Sequence, residues 1–533
     1  MISVFIISLL LTVFSTSVMA YISMATPIGP WIAPTLVLIT SLLYRLFPYR
    51  SGSASNLIAY STIAGSVGGI VATACGFSFP TLYFLNQELF LQWLASPWYF
   101  VGLVATLCFT AGSLGWFLAD LWDNQLIVKS EMPFPIGQMI YKMIDVQESV
   151  RKSLQLMYGF ISTIIFCQLQ KGILGFARLL PQTYHVCSTT ALGYVSMPSI
   201  VLRLDQFPML WAIGFITGHV IAIPLAVGVL AKIFLVEPIN DAFFETITPG
   251  DFTMAFCSGM VLWGTLLSFI SLVGSYKKLS GFLTRSREKF TFSNFASLRQ
   301  IIVGGLTIIG SICFLTYFKF SMMAQLFLLI GTVICSYQIA IIAGKMGLAP
   351  LGRFATFVMV PSMLLFGLDA MQITIVATFV EICGGVTTDM LFGRKVGHLQ
   401  SLQRTKVRYM QMFGLLVSAC VVGIVILILS NHFGLGSQEL CVQRAQARAL
   451  LINFSAFDYY VLLLGALFSF GLKFISVNPV LVLGGLLMPI NYSLILIMGG
   501  ISTYFYRRPH DFEPFWSGVF AANSIWILIQ ALM

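Results

Sequence analysis

Apolar residues run along this chain in long blocks, and the blocks show no two-residue alternation: residues 252–275 and 409–430 are each free of charged side chains. A membrane β-barrel would alternate polarity in segments of about ten residues. Blocks of about twenty apolar residues instead have the length of a helix crossing a hydrocarbon core about 30 Å thick. In hydrocarbon every backbone N–H and C=O must be paired within the segment, which leaves the helix as the spanning element. The pattern predicts an all-α, polytopic integral membrane protein. The 533 residues accommodate roughly 12–16 transmembrane helices with short connections.

Composition agrees with that solvent. Only 9% of residues are charged and 58% are apolar, with a mean hydropathy of +0.92, whereas a soluble domain carries roughly 25% charged residues. The formal charge of +10 is a topology signal and implies no nucleic-acid partner. Lys277, Lys278, Arg285, Arg287, Lys289 and Arg299 share one polar stretch, and Arg394, Lys395, Arg404, Lys406 and Arg408 a second. Basic stretches of this kind stay in the cytoplasm, while Glu237, Asp241, Glu245 and Asp251 suit the outer face. Four apolar runs (near 298–318, 321–343, 354–368 and 370–392) separate the basic stretches, an even number that returns the chain to the same side. A multi-pass protein of the cell (inner) membrane is expected.

The ten cysteines are scattered without C-x-x-C spacing and read as packing residues, so no metal and no cofactor is expected. Cys187 and Cys441 lie near expected loops, where a pairing stays open. Residues 1–20 end in Val18-Met19-Ala20, loosely like a cleavage site, but lack a basic n-region, so they read as an uncleaved first helix.

Glycine and proline interrupt several apolar runs. Residues 65–80 and 208–228 are two such segments, and broken helices near the midplane commonly build transporter sites. Glu131 to Gln138 can be laid on Glu439 to Gln446 with an offset of 308, and Gly115 then falls on Gly423. The offset predicts two related halves, residues 1–275 and 300–533, joined by a basic loop at 276–299. Pro133 and Pro135 cannot continue a helix. A helix starting just after them would present free N–H groups near Gly137 and Gln138, suited to a substrate carboxylate. Pro133, Pro135, Gly137 and Gln138 are therefore candidate substrate-binding residues, with an interfacial turn as the plainer alternative.

Acids in apolar runs are candidates for an ion pathway. Glu381 lies mid-run, has no basic residue within a helical turn in sequence, and is the first candidate for proton coupling. Asp389, eight residues on, projects within about 80° of it on a helix, but Arg394, Lys395 and His398 follow and offer it structural pairing. Asp369, like Asp389 a further proton-coupling candidate, sits at a break between runs, where a solvated turn is the plainer explanation. His219 lies within an apolar run beside Gly218, a possible relay more simply read as a packing histidine.

The elements together resemble the oligopeptide transporter family, which includes the yellow-stripe-like metal-chelate transporters. Glu131-Met132-Pro133-Phe134-Pro135-Ile136-Gly137 is similar to its L-P-F-P-S-G element, and Phe207 to Gly218 to its S-P-x-x-x-G-x-G-Y-I-x-G element. Gly385-Val386-Thr387-Thr388-Asp389-Met390 through His398 resembles its G-x-A-A-D-M-x-Q-D-L-K-T-G-H stretch, and Gly484 to Pro489 with Gly499-Gly500 its last helix break. The order matches over most of the chain. Gly393 replaces the family's second acid, and no counterpart of the K-I-P-P-R element exists, which points away from the peptide-transporting eukaryotic branch. The resemblance implies a divergent prokaryotic secondary transporter. It would import small peptides or peptide-like metal chelates by cation symport, with protons as the expected cation. The rival class, a multispan membrane enzyme such as an acyl- or phospho-group transferase, needs a dense polar site. No H-E-x-x-H or G-x-S-x-G motif occurs, and the five histidines are dispersed.

Overall fold

The computed structural model describes residues 2–26, 31–46, 54–130, 134–144, 146–171, 183–188, 201–205, 207–244, 247–260, 298–346, 349–452, 458–474, 479–487, 490–506 and 509–532, with a few isolated positions between them. Helices dominate, as the hydropathy pattern predicts. A short antiparallel hairpin, Thr183–Ser188 against Val201–Asp205, is an addition that the pattern did not predict. Among the described residues seven helices are long and apolar enough to cross a membrane, and six shorter apolar helices of 10–17 residues accompany them. The expected span number is reached only by counting the shorter helices. Polytopic and helical is the architecture.

The centre is built from α1 (Ile2–Ala25), α2 (Ala54–Ser78), α3 (Pro97–Asp123), α4 (Pro135–Met143), α5 (Ala370–Leu399), α6 (Arg404–Phe433) and α7 (Gln443–Ile452). Its axis is α5, in which every residue from Ile373 to Gly397 is buried. Small residues let its neighbours close in, the usual means of helix association where no hydrophobic effect operates. A Cβ on Gly385 would lie 3.0 Å from Ile70 of α2, and one on Gly115 of α3 would lie 2.6 Å from the Cys383 carbonyl. The entry to α5 is fixed by the preceding Gly367 (φ 59°) and by a capping box. The Asp369 carboxylate accepts from the Gln372 N–H at 2.7 Å, and the Gln372 side chain accepts from the Asp369 N–H at 3.3 Å.

The helices Leu298–Tyr317, Met322–Met346, Leu351–Phe366 and α5 form where four apolar runs are expected. One boundary differs. The fourth run does not stop at residue 392; α5 continues through Arg394 and Lys395 to Leu399, and both cations are buried. Their charges belong to the protein interior rather than to a cytoplasmic loop. Most of the expected 276–299 loop, residues 276–297, lies outside the described residues. The segment 65–80 is not broken within: α2 runs unbroken to Ser78. The segment 208–228 is broken as predicted, at Gly218 (φ 61°), between Pro208–Thr217 and His219–Ala231.

Close contacts recur at fixed shifts along the chain. A Cβ on Gly214 would meet the Leu496 carbonyl and the Gly500 nitrogen; one on Gly485 would meet the Leu225 carbonyl and the Val229 nitrogen. Every residue of the second set differs from its mate by 271, as 485 minus 214. Gly159 abuts the Phe515 carbonyl and Gly518 that of Leu156, while Gly465 abuts Phe256 and Gly259 abuts Leu462. In all four cases a helix from before residue 275 packs on one from after residue 300. The two parts of the chain interlock.

Candidate functional site

Two carboxylates share one side of α5, and α2 runs antiparallel against that side. Ser66, midway along α2, donates to Asp389 Oδ2 at 2.9 Å, and Ser78, the last residue of α2, donates to Glu381 Oε2. Between these bonds Gly385 packs on Ile70, so the contact line joins the second half of α2 to the middle of α5. Both acids are almost fully buried.

Glu381 is not alone, as its sequence neighbours suggested. Arg448 of α7, 67 residues on, places Nη2 2.6 Å from Glu381 Oε1 and donates from Nη1 to Ser78 Oγ at 2.7 Å. Its side chain is 6% exposed and that of Glu381 0%. Arg444, one turn earlier on α7, lies over the Phe77 ring at 3.8 Å. The first candidate for coupling is therefore half of a buried salt bridge. The expectation of an unpaired acid failed because it used only local sequence, and the counter-ion comes from another helix.

Asp389 departs from expectation in the opposite sense. Arg394 turns to Asp120 of α3 (Nη1 to Oδ1, 3.2 Å) and to Gln411 of α6 (Nε to Oε1, 3.1 Å). Among the described residues Asp389 has no ion pair; its hydrogen-bond donor is the Ser66 hydroxyl. Helix geometry supplies the reason. At about 100° per residue, Arg394, Lys395 and His398 point roughly 140°, 120° and 180° away from Asp389 around α5. Residues close behind an acid in sequence are, at these spacings, on the far side of the helix.

The remaining candidates are placed as follows. Pro133 lies outside the described residues. Phe134, in the left-handed region (φ 45°), caps α4, donates its N–H to the Gly344 carbonyl at 2.8 Å and is followed by Pro135 at the first helical position. The Gln138 N–H, expected to be free for a ligand, donates to the Phe134 carbonyl at 3.1 Å. Gly137 is a contact point: a Cβ there would lie 3.0 Å from the Phe392 carbonyl and 3.1 Å from Lys395 Cβ, so α5 rather than open space faces it. The α4 start thus packs on the last third of α5, beyond Asp389. Asp369 is exposed and spent on capping. His219, though central in its apolar run, is exposed at the start of its helix, with its ring centroid 6.0 Å from that of Tyr504. Neither Asp369 nor His219 joins Glu381 and Asp389. Cys441 is a free thiol.

Sequence reasoning missed Ser66, Ser78, Arg444 and Arg448. One signal was present: at the offset of 308, Arg444 and Arg448 fall on Ile136 and Ile140. A pair of cations replacing a pair of isoleucines asks for a counter-charge. In comparison with known proteins, no family model and no curated protein matches the chain.

Proposed function

We propose that the protein is a secondary active transporter that imports small oligopeptides or peptide-like metal chelates by proton symport, and that Asp389 rather than Glu381 carries the coupling proton. The observation that supports the reading is the contrast between two acids eight residues apart on a helix with no exposed face. Glu381 is neutralised by Arg448 at 2.6 Å, whereas Asp389 has a hydroxyl as its hydrogen-bond donor. A serine hydroxyl donates to a carboxylate and accepts from a carboxylic acid, so Ser66 serves Asp389 in either state. A buried acid that can change charge without losing its partner is what coupling to a gradient needs. The Glu381–Arg448 pair offers a second property: a zwitterionic substrate can exchange its own carboxylate and ammonium for the two halves of the pair. One of the four elements that resemble oligopeptide transporters, the Gly385 to His398 stretch, contains Asp389.

The test is uptake into liposomes containing the purified protein, using labelled di- and tripeptides and, in parallel, a labelled metal–amino-acid chelate, with and without an imposed pH gradient. Asp389→Asn is expected to retain substrate exchange across the membrane and to lose accumulation driven by the gradient. Undiminished gradient-driven accumulation in Asp389→Asn would remove Asp389 from the mechanism. Absence of any saturable uptake by the parent protein would remove the transporter reading itself.

A further inference from the structure

A second ionic cluster lies at the far end of α5, where the chain turns at 400–403 into α6. Asp120 of α3 is approached by Arg394 Nη1 at 3.2 Å and by Arg408 Nε at 2.6 Å, and Arg408 Nη2 lies 3.8 Å from Asp123 Oδ2. Beside this cluster opens a pocket of about 270 Å³ lined by residues that include Asp123, Arg394, His398, Ser401, Arg404 and Arg408. Three arginines therefore face one carboxylate across the lining, with the second carboxylate, Asp120, behind it.

One donor is not used up by those carboxylates. Arg394, 5% exposed, has a buried Nη2 with no hydrogen-bond partner among the described residues. A buried guanidinium donor left without an acceptor is costly, and the planar fork of arginine matches the oxygens of a phosphate or carboxylate. Arg404, exposed on the rim, begins the 30-residue α6, whose N-terminal dipole adds to the attraction for an anion. The volume is below the roughly 300–1,000 Å³ of pockets that enclose drug-sized ligands, and suits a single oxyanion group.

We propose that this pocket binds a phosphate group, held by Arg394, Arg404 and Arg408 at the junction of α5 and α6. Two sources share this chemistry, the headgroup of an anionic phospholipid and free phosphate. This inference stands independently of what the protein transports.

The full-length protein in detergent is titrated with inorganic phosphate by calorimetry, at constant ionic strength with chloride as the control. In a second arm it is reconstituted in nanodiscs of phosphatidylcholine with or without phosphatidic acid, and thermal unfolding is followed. The probe variant is Arg404→Gln, an exposed position that bears on neither Asp120 nor Asp123; Lys406→Gln, on the same turn of α6 but outside the pocket lining, controls for general loss of charge. Saturable phosphate binding, weakened about tenfold or more in Arg404→Gln and unchanged in Lys406→Gln, supports the site with free phosphate as ligand. Stabilisation by phosphatidic acid alone, lost in Arg404→Gln and kept in Lys406→Gln, supports it with a lipid headgroup. Binding in neither arm, or binding that Arg404→Gln leaves intact or that both variants weaken equally, overturns it, and the arginines then serve only to neutralise Asp120 and Asp123.

Discussion

The short helices α4 and α7 use one backbone device for two kinds of chemistry. Each follows a non-glycine residue in the left-handed region, Phe134 (φ 45°) and Val442 (φ 44°), and these are 308 residues apart. In each, that residue's N–H is donated to a carbonyl near the end of a long helix, Phe134 to Gly344 at 2.8 Å and Val442 to Met24 at 2.7 Å. Holding a bulky side chain at positive φ costs of order 1–3 kcal/mol, and its recurrence at both places indicates a shared requirement for an abrupt helix start. From there they diverge. The first helix places Ile136 and Ile140 in apolar packing, whereas the second places Arg444 and Arg448 beside Phe77, Ser78 and Glu381. The lesson is that a shared backbone device fixes where a chain can enter the interior, and side chains at matching positions decide whether that entry is inert or charged.

The comparison can be broken most severely at Arg448. Arg448→Ala removes the guanidinium that contacts Glu381 at 2.6 Å and leaves the more distant Arg444 as the cation acting on it; it is expected to cost up to about 3–5 kcal/mol, read as a loss of monodisperse protein in size-exclusion profiles after mild heating. The triple change Glu381→Gln, Arg448→Met and Arg444→Met should recover most of that loss, because it removes the acid and both cations that act on it together; failure to recover would mean that these arginines matter for reasons other than the charge pairing.

Next in size are the interlocking glycines. Gly214→Val and Gly485→Val each drive a side chain into backbone, at 2.2 Å and 2.3 Å from a carbonyl oxygen before the rest of the side chain is added. Both are expected to destabilise by up to about 3 kcal/mol. Equal shifts in thermal unfolding would sharpen the match between the two parts of the chain; a shift at one position only would restrict the likeness to geometry without energetic equivalence.

On the apolar side of the comparison, Ile140→Ala should cost about 2 kcal/mol from lost packing. Any uptake activity should keep its dependence on the pH gradient, since no charge is touched. The smallest effect belongs to Asp369→Ala, which removes one cap acceptor for about 1 kcal/mol and is expected to leave transport unaltered. A loss of gradient-driven accumulation in Asp369→Ala would place an acid outside the α2–α5 contact in the coupling path.

Helices were legible because they are local, and so was the break at Gly218, whereas the glycines of 65–76 lie within an unbroken helix. Apolar length predicts α5, and the proline pair before Gly137 predicts the start of α4. Pairing was not legible, since Glu381 finds Arg448 through three-dimensional packing of α5 on α7, and Arg394 finds Asp120 from a helix 274 residues earlier. Proximity in sequence was misleading for Asp389, whose basic neighbours lie on the other side of α5. The role expected for Gly137 failed for a related reason: absence of a side chain is equally the signature of an open ligand space and of a closely packed helix, and only the position of Phe392 distinguishes them.

Interlocking also sets a timetable for biogenesis. The helix Val146–Lys171 packs through Gly159 on Glu513–Leu532, and Glu513 follows Lys171 by 342 residues. At a synthesis rate of roughly 5–20 residues per second, the earlier helix waits on the order of half a minute in the bilayer before its partner exists. Throughout that interval its glycine face is open to lipid, to neighbouring proteins and to membrane proteases. Slowing translation late in the chain should therefore lower the yield of intact protein more than slowing it early.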